Sequence, residues 1–253
     1  MLAGAARARR RRAGGARLTD GAPLLIEARG GIHLWRLNRP RRRNALDRAL
    51  LEALDGARAR AQAEGARVVV LTGAAPEGAF CAGLDLESLR REGGGEARAD
   101  LPLVELFHET IARLEGAAFA LVTAVNGPAV GGGCELALAG DVRLARPSAS
   151  FAIPAARLGV TYPAAGLARL RDALGPSLLR AMLTTGASVG AERLERAGVL
   201  WALTDEPLGA ALEMAAGLEA LPASAAAVHR RALVDLRGAS SSQGRPGPDS
   251  SKD

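Results

Sequence analysis

Lysine is almost missing from this chain: of 253 residues only Lys252 is one, and it stands in a polar terminal stretch. A Walker A phosphate loop needs a lysine beside its glycines, and a Schiff-base enzyme needs one in its site, so both classes fall away. Aromatic residues make up 3% of the sequence against 48% for all apolar types, so the core is built from alanine, leucine and valine. The two cysteines, Cys81 and Cys134, have neither metal-ligand nor CxxC spacing. They read as buried thiols in a reducing compartment. There is no GxGxxG and no HExxH, which removes the dinucleotide fingerprint and the zinc-binding helix. No apolar run approaches the ~18 residues that cross a bilayer.

Acidic residues are absent from the first seventeen positions, which carry six arginines (Arg7, Arg9, Arg10, Arg11, Arg12 and Arg17). The formal net charge is +6, so residues 18–253 are neutral overall. The basic balance therefore belongs to a tail and not to a folded basic face, and no nucleic-acid partner is expected. An Arg-rich, acid-poor start is compatible with a mitochondrial transit peptide, but it lacks serine. The preferred reading is a disordered extension on a bacterial cytoplasmic protein, with the mitochondrial matrix as the alternative.

The most informative stretch runs Asn126-Gly-Pro-Ala-Val-Gly-Gly-Gly-Cys-Glu135. It follows an apolar run, Ala120 to Val125, that reads as a buried strand, and leads into Leu136-Ala-Leu-Ala139, which reads as a helix. Glycines at a strand-to-helix junction allow close backbone approach and leave N–H groups free at the helix start. Glu135 sets a carboxylate beside those donors, an arrangement suited to chemistry at an activated carbonyl.

The rest of the chain alternates strand and helix. Leu24–Ala28 and Ile32–Leu37 read as a hairpin across Gly30-Gly31, and Asn44 as the cap of a helix reaching Ala63. Val68–Thr72 reads as a strand, Gly93-Gly-Gly95 as a loop, and Pro102–Leu114 as a helix. Strands are predicted at Val142–Ala145, Ser150–Ile153 and Val199–Ala202. Helices are predicted at Ala164–Leu174, Pro176–Leu183, Ala191–Ala197, Leu208–Leu221 and Ala223–Leu236. The alternation argues for α/β layers. The domain reading is a disordered Arg-rich tail over 1–20, a core over 21–203, C-terminal helices over 204–237 and a disordered tail over 238–253.

A second segment, Phe80-Cys-Ala-Gly-Leu-Asp-Leu86, completes the pattern. Paired with NGPAVGGGCELALAGD, it resembles the crotonase (enoyl-CoA hydratase/isomerase) superfamily. Leu37-Asn-Arg-Pro-Arg-Arg-Arg-Asn-Ala-Leu46 agrees, as does Leu183-Thr-Thr-Gly186 followed by Ala197-Gly-Val199. The resemblance runs in order from about residue 24 to about residue 221. It implies a crotonase-like spiral of ββα units with a short helical C-terminal part, assembled as a homotrimer or a dimer of trimers. Relatives carry several more helices past the position of Leu221.

The resemblance also implies an acyl-CoA substrate and no cofactor beyond the coenzyme A that the substrate brings. Carried over by motif, the oxyanion donors are the N–H groups of Ala82 and Gly132, and Glu135 is the acid/base. Gly83, Leu84, Asp85 and Arg42 fall at substrate-binding positions, Arg42 beside Arg41 and Arg43 where relatives meet the CoA phosphates. One departure stands out: hydratases carry a second glutamate after the proline of the segment Phe151-Ala-Ile-Pro-Ala-Ala-Arg-Leu-Gly159, and this chain has Ala155 there. Isomerisation or decarboxylation of an acyl-CoA, or silent acyl-CoA binding, are the alternatives. His33, His108 and His229 read as ordinary surface or core histidines. Gly186-Ala-Ser-Val-Gly190 matches the GxSxG of serine hydrolases, but an apparent helix stands where the pattern needs a strand, and Gly190 reads as the start of the next helix, so Ser188 is not expected to be a nucleophile.

Overall fold

The computed structural model describes residues 21–75, 78–93, 101–222 and 228–236. The two tails and the glycines at 94 and 95 lie outside them. The chain opens with β1 (Leu24–Arg29), β2 (Ile32–Leu37), α1 (Arg48–Ala63) and β3 (Val68–Gly73). Then come α2 (Leu86–Gly93), α3 (Pro102–Glu115), β4 (Ala120–Val125), β5 (Ala129–Val130) and α4 (Gly132–Leu138). β6 (Val142–Ala145), β7 (Ser150–Ala152), α5 (Ala155–Leu158), α6 (Ala164–Leu174) and α7 (Pro176–Thr185) follow. β8 (Ser188–Gly190), α8 (Ala191–Arg196), β9 (Ala202–Leu203) and α9 (Pro207–Glu219) come last, with residues 228–236 also helical.

Six strands form one sheet in the order β1-β2-β3-β4-β6-β9, with only β1 antiparallel to its neighbour. A second sheet, β5-β7-β8, stands beside it. β3 reads VVVLTG and every residue is buried, as a strand covered on both faces requires. Its side chains alternate: Val68 and Val70 face α9, where Ala211 and Ala215 let the helix come close. Val69 and Leu71 face the larger core, which holds Leu50, Leu51 and Leu54 of α1 together with Trp35 and Phe107. The α/β layering expected from the sequence is what the chain adopts.

Several local expectations need correction. Asn44 does not cap α1; Asp47 does, its Oδ1 accepting the Leu50 N–H at 2.9 Å. Asn44 instead sits at φ 56° in a turn and spends its side chain on the Arg39 N–H and on the carbonyls of Ala79 and Phe80. That ties the turn before α1 to the segment around Phe80. The last strand is not Val199–Ala202 but Ala202–Leu203, because Val199 and Leu200 turn into the core first. The short helices α2 and α5 and the strands β5 and β8 give no pattern long enough to read from sequence. Ser188 stands exposed within β8, without the sharp strand-to-helix turn that a nucleophile elbow needs.

Candidate active site

The two glycine-bearing segments lie side by side. Cys81 donates its N–H to Pro128 at 3.2 Å, and Val130 donates to Cys81 at 2.9 Å. A further bridge joins Leu46 to Leu84. Two glycines make this approach possible. Gly83 holds φ 90°, and a Cβ there would come within 2.6 Å of the Val130 oxygen and 3.2 Å of the Gly132 nitrogen. A Cβ on Gly133 would overlap the Cys81 carbonyl. A larger residue at either position forces the segments apart.

The junction decides which N–H groups are free. The Ala82 N–H is not: it donates to the Arg43 carbonyl at 3.0 Å. Leu46 donates to Gly83 and accepts from Asp85, so the bridge is made by the residues on either side of Leu84. The Leu84 N–H itself points away from Leu46 and has no protein acceptor among the described residues. The Gly132 N–H, at the first position of α4, has none either, as expected of an N-terminal helix residue. The expectation for Ala82 is therefore corrected by two residues along the same motif, because a motif fixes a backbone path and not which amides the neighbouring turn consumes.

Ala82, Gly83, Leu84 and Gly132 all line a cavity of about 210 Å³. Its walls include Leu89, Val104 and Phe107, with Ala155, Val160 and Tyr162 opposite. No carboxylate lines it among the described residues. Asp85 faces elsewhere. Its Oδ1 accepts the N–H groups of Glu87 and Ser88, and its Oδ2 lies 3.3 Å from Arg39. Burial pushes its pKa up, but the hydrogen bonds from Ser88 and Arg39 outweigh that and hold it below the ordinary aspartate range. Asp85 is an anchor for α2, not a wall of the cavity. Arg42 is well exposed in a single 3-10 turn, Pro40–Arg42, and pairs with Glu87 at 3.2 Å. Both thiols are inert: burial pushes Cys81 up to about 12 and raises Cys134 as well.

Behind the cavity lies a cluster that the sequence does not announce. Glu135 is buried on α4, and its Oε1 accepts from Arg169 of α6 twice, from Nε at 2.9 Å and from Nη2 at 2.6 Å. His108 of α3 completes it, its Nδ1 standing 2.6 Å from Nη2 and 3.4 Å from Oε1. Gly166 makes room, since a Cβ there would come within 2.9 Å of the imidazole. Oε2 of Glu135 is buried with no hydrogen-bond partner among the described residues. An orphaned buried acceptor of this kind costs about 1–3 kcal/mol, more for a charged group, and calls for a functional explanation. Tyr162 stands nearby, its hydroxyl pKa raised by burial and then by the negative Glu135.

His108 read as an ordinary histidine and Arg169 drew no attention. One signal was available: Gly166, Arg169, Leu170 and Leu174 are the buried positions of α6, so Arg169 is a charge inside an apolar stripe. A larger groove, about 800 Å³, opens on the far side of Arg169 against residues 228–236, out of reach of the free N–H pair.

A pair of unspent backbone donors across a glycine approach, beside a buried glutamate, is an arrangement with the chemical means to stabilise a developing oxyanion. The chain belongs to the enoyl-CoA hydratase/isomerase family, whose model matches residues 27–240. It is 37% identical over 202 residues to a protein of Mycobacterium tuberculosis named probable enoyl-CoA hydratase, a stretch covering 79% of this chain and 77% of that one. It is also 37% identical over 180 residues to the 2,3-dehydroadipyl-CoA hydratase of Escherichia coli, covering 70% of this chain and 67% of the other. Among solved structures, an enoyl-CoA hydratase from Mycobacterium avium superposes with a TM-score of 0.72 at 34% identity, over 88% of this chain and 92% of that one. No helix among the described residues is long and apolar enough to cross a membrane.

Proposed function

We propose that the protein acts on acyl-CoA thioesters by stabilising a thioester enolate, with the Leu84 and Gly132 N–H groups as the oxyanion donors. One observation carries the reading: these two amides lie on either side of Gly83, have no protein acceptor among the described residues, and belong to residues that line the same cavity. Fixed dipoles aimed at a developing charge need no reorganisation during the reaction, and losing one donor costs about 10²–10³ in rate in other enzymes. Glu135 is the acid/base of the reading, through Oε2, since Oε1 is committed to Arg169. Hydration would add one water across the double bond, its hydroxyl to the third acyl carbon and a proton to the second, with Glu135 taking a proton from the water as one is delivered to carbon.

A second reading draws on Ala155. It is buried and lines the cavity, and among the described residues no carboxylate does. Isomerisation and decarboxylation both pass through the enolate, and decarboxylation needs no second acid/base group. The same cavity in a catalytically silent form would be an acyl-CoA binder.

Acetoacetyl-CoA tests the shared element, because its enolate absorbs in the near ultraviolet. Bound to the wild type it should show an enlarged enolate band. Gly83→Ala, which crowds the Gly132 nitrogen, should abolish the band in a protein that remains folded by circular dichroism. A bound ligand with no enolate band in the wild type would defeat the proposal.

A further inference from the structure

We infer that His108 is a substrate-contacting specificity residue, whose Nε2–H selects acyl-CoA thioesters carrying an oxygen beyond the thioester carbonyl. The inference rests on the acyl-CoA reading above and names the substrate class of the same site. A guanidinium can only donate, so in its 2.6 Å contact with Arg169 Nη2 the Nδ1 atom of His108 is the acceptor. In the neutral ring the proton is then on Nε2, fixed there by a buried partner that Glu135 holds in turn. The ring is clamped on two further sides: Phe107 meets it edge-on with centroids 5.0 Å apart, and the Cα of Gly166 backs it.

The two nitrogens of an imidazole point to opposite sides of the ring. Nδ1 faces the buried Arg169–Glu135 pair, so Nε2 faces the cavity that His108 lines. Among the described residues Nε2 has no protein partner, and the His108 side chain keeps 14% of its surface exposed. The wall around it is largely aliphatic, from Leu84 through Val104 to Val160, so a fixed donor there is conspicuous. An all-hydrocarbon acyl chain leaves that donor without an acceptor, which costs binding energy. A hydroxyl or carbonyl oxygen on the third carbon of the acyl chain, where hydration puts one, supplies the acceptor.

The test compares butyryl-CoA with 3-hydroxybutyryl-CoA by calorimetry on the wild type, His108→Phe and His108→Gln. The wild type should bind the hydroxy thioester roughly tenfold more tightly, the upper range for one hydrogen bond. His108→Phe should bind both alike, and His108→Gln, whose amide keeps an N–H near the same place, should recover part of the preference. Equal binding by the wild type, or an undiminished preference in His108→Phe, overturns the inference. Binding of neither thioester by the wild type overturns the acyl-CoA reading itself. Because His108→Phe removes a partner of a buried cluster, a second measurement uses the wild type alone. In protein labelled with nitrogen-15 at histidine, the His108 Nε2 resonance should shift with 3-hydroxybutyryl-CoA and stay in place with butyryl-CoA. An equal shift with both also overturns it.

Discussion

The candidate site is made of two regions built in opposite ways. The glycine junction, Cys81–Leu84 against Pro128–Gly133, is backbone: its donors are amides and its shape depends on residues with no side chain. The cluster behind it is side chain: Glu135, Arg169 and His108 arrive from α4, α6 and α3, and only Glu135 lies next to the junction in sequence. The first region gains its chemistry from geometry set by local sequence. The second gains it from packing three helices against one another. Each fails in its own way when altered, and that difference separates them experimentally.

The largest effect belongs to the side-chain region. Arg169→Met leaves the Glu135 carboxylate buried without its counter-charge. Breaking a buried pair from one side costs about 3–5 kcal/mol, whereas replacing both partners with apolar residues is often close to neutral. Urea denaturation should show that loss for Arg169→Met and recovery of much of it in the Arg169→Met, Glu135→Leu double variant. A loss of less than about 1 kcal/mol in the single variant would mean the cluster is solvated and the contrast between the regions is false.

A positioned acid contributes about 10²–10⁴ in rate, so the wild type, with Ala155, should hydrate crotonyl-CoA slowly. Ala155→Glu puts a carboxylate into a cavity wall that has none among the described residues. Hydration should rise toward the lower end of that range, and adding Glu135→Gln should remove the gain. Fast hydration by the wild type would show that another group already supplies the proton. No gain in a folded Ala155→Glu protein would favour isomerisation, decarboxylation or plain binding.

The smallest effect concerns Arg42, which the sequence placed at a substrate position. It is exposed and paired with Glu87, and such surface pairs contribute about 0–1 kcal/mol. Arg42→Ala should leave kcat and thermal stability unchanged and raise KM by no more than about fivefold. A larger rise in KM would return Arg42 to the CoA site.

The same contrast explains what was legible in the sequence. The α/β alternation, the buried strand at Ala120–Val125 and the helix after the glycines could be read directly, because periodicity and glycine placement are local signals. The family resemblance rested on the same segments. Which amide of the motif stays free was not legible, since whether Ala82 or Leu84 keeps a free N–H depends on Arg43 accepting from Ala82, a contact between segments about forty residues apart. The cap of α1 failed for a related reason: Asn44 is drawn into a long-range tie with Ala79 and Phe80, leaving Asp47 to do the capping. Arg169 shows in the sequence only as a charge inside the apolar stripe of α6, and its pairing with His108 does not show at all, because 61 residues separate them and no motif names them.

The central claim is that Leu84 and Gly132, and not Ala82, present the oxyanion donors. Amide proton shifts of deuterated, nitrogen-15-labelled protein, recorded with and without saturating acetoacetyl-CoA, test it most directly. The Leu84 and Gly132 amide protons should move strongly downfield as they take up a charged acceptor, while Ala82, already bonded to Arg43, should hardly move. A large downfield shift at Ala82 with Leu84 unmoved would contradict the account.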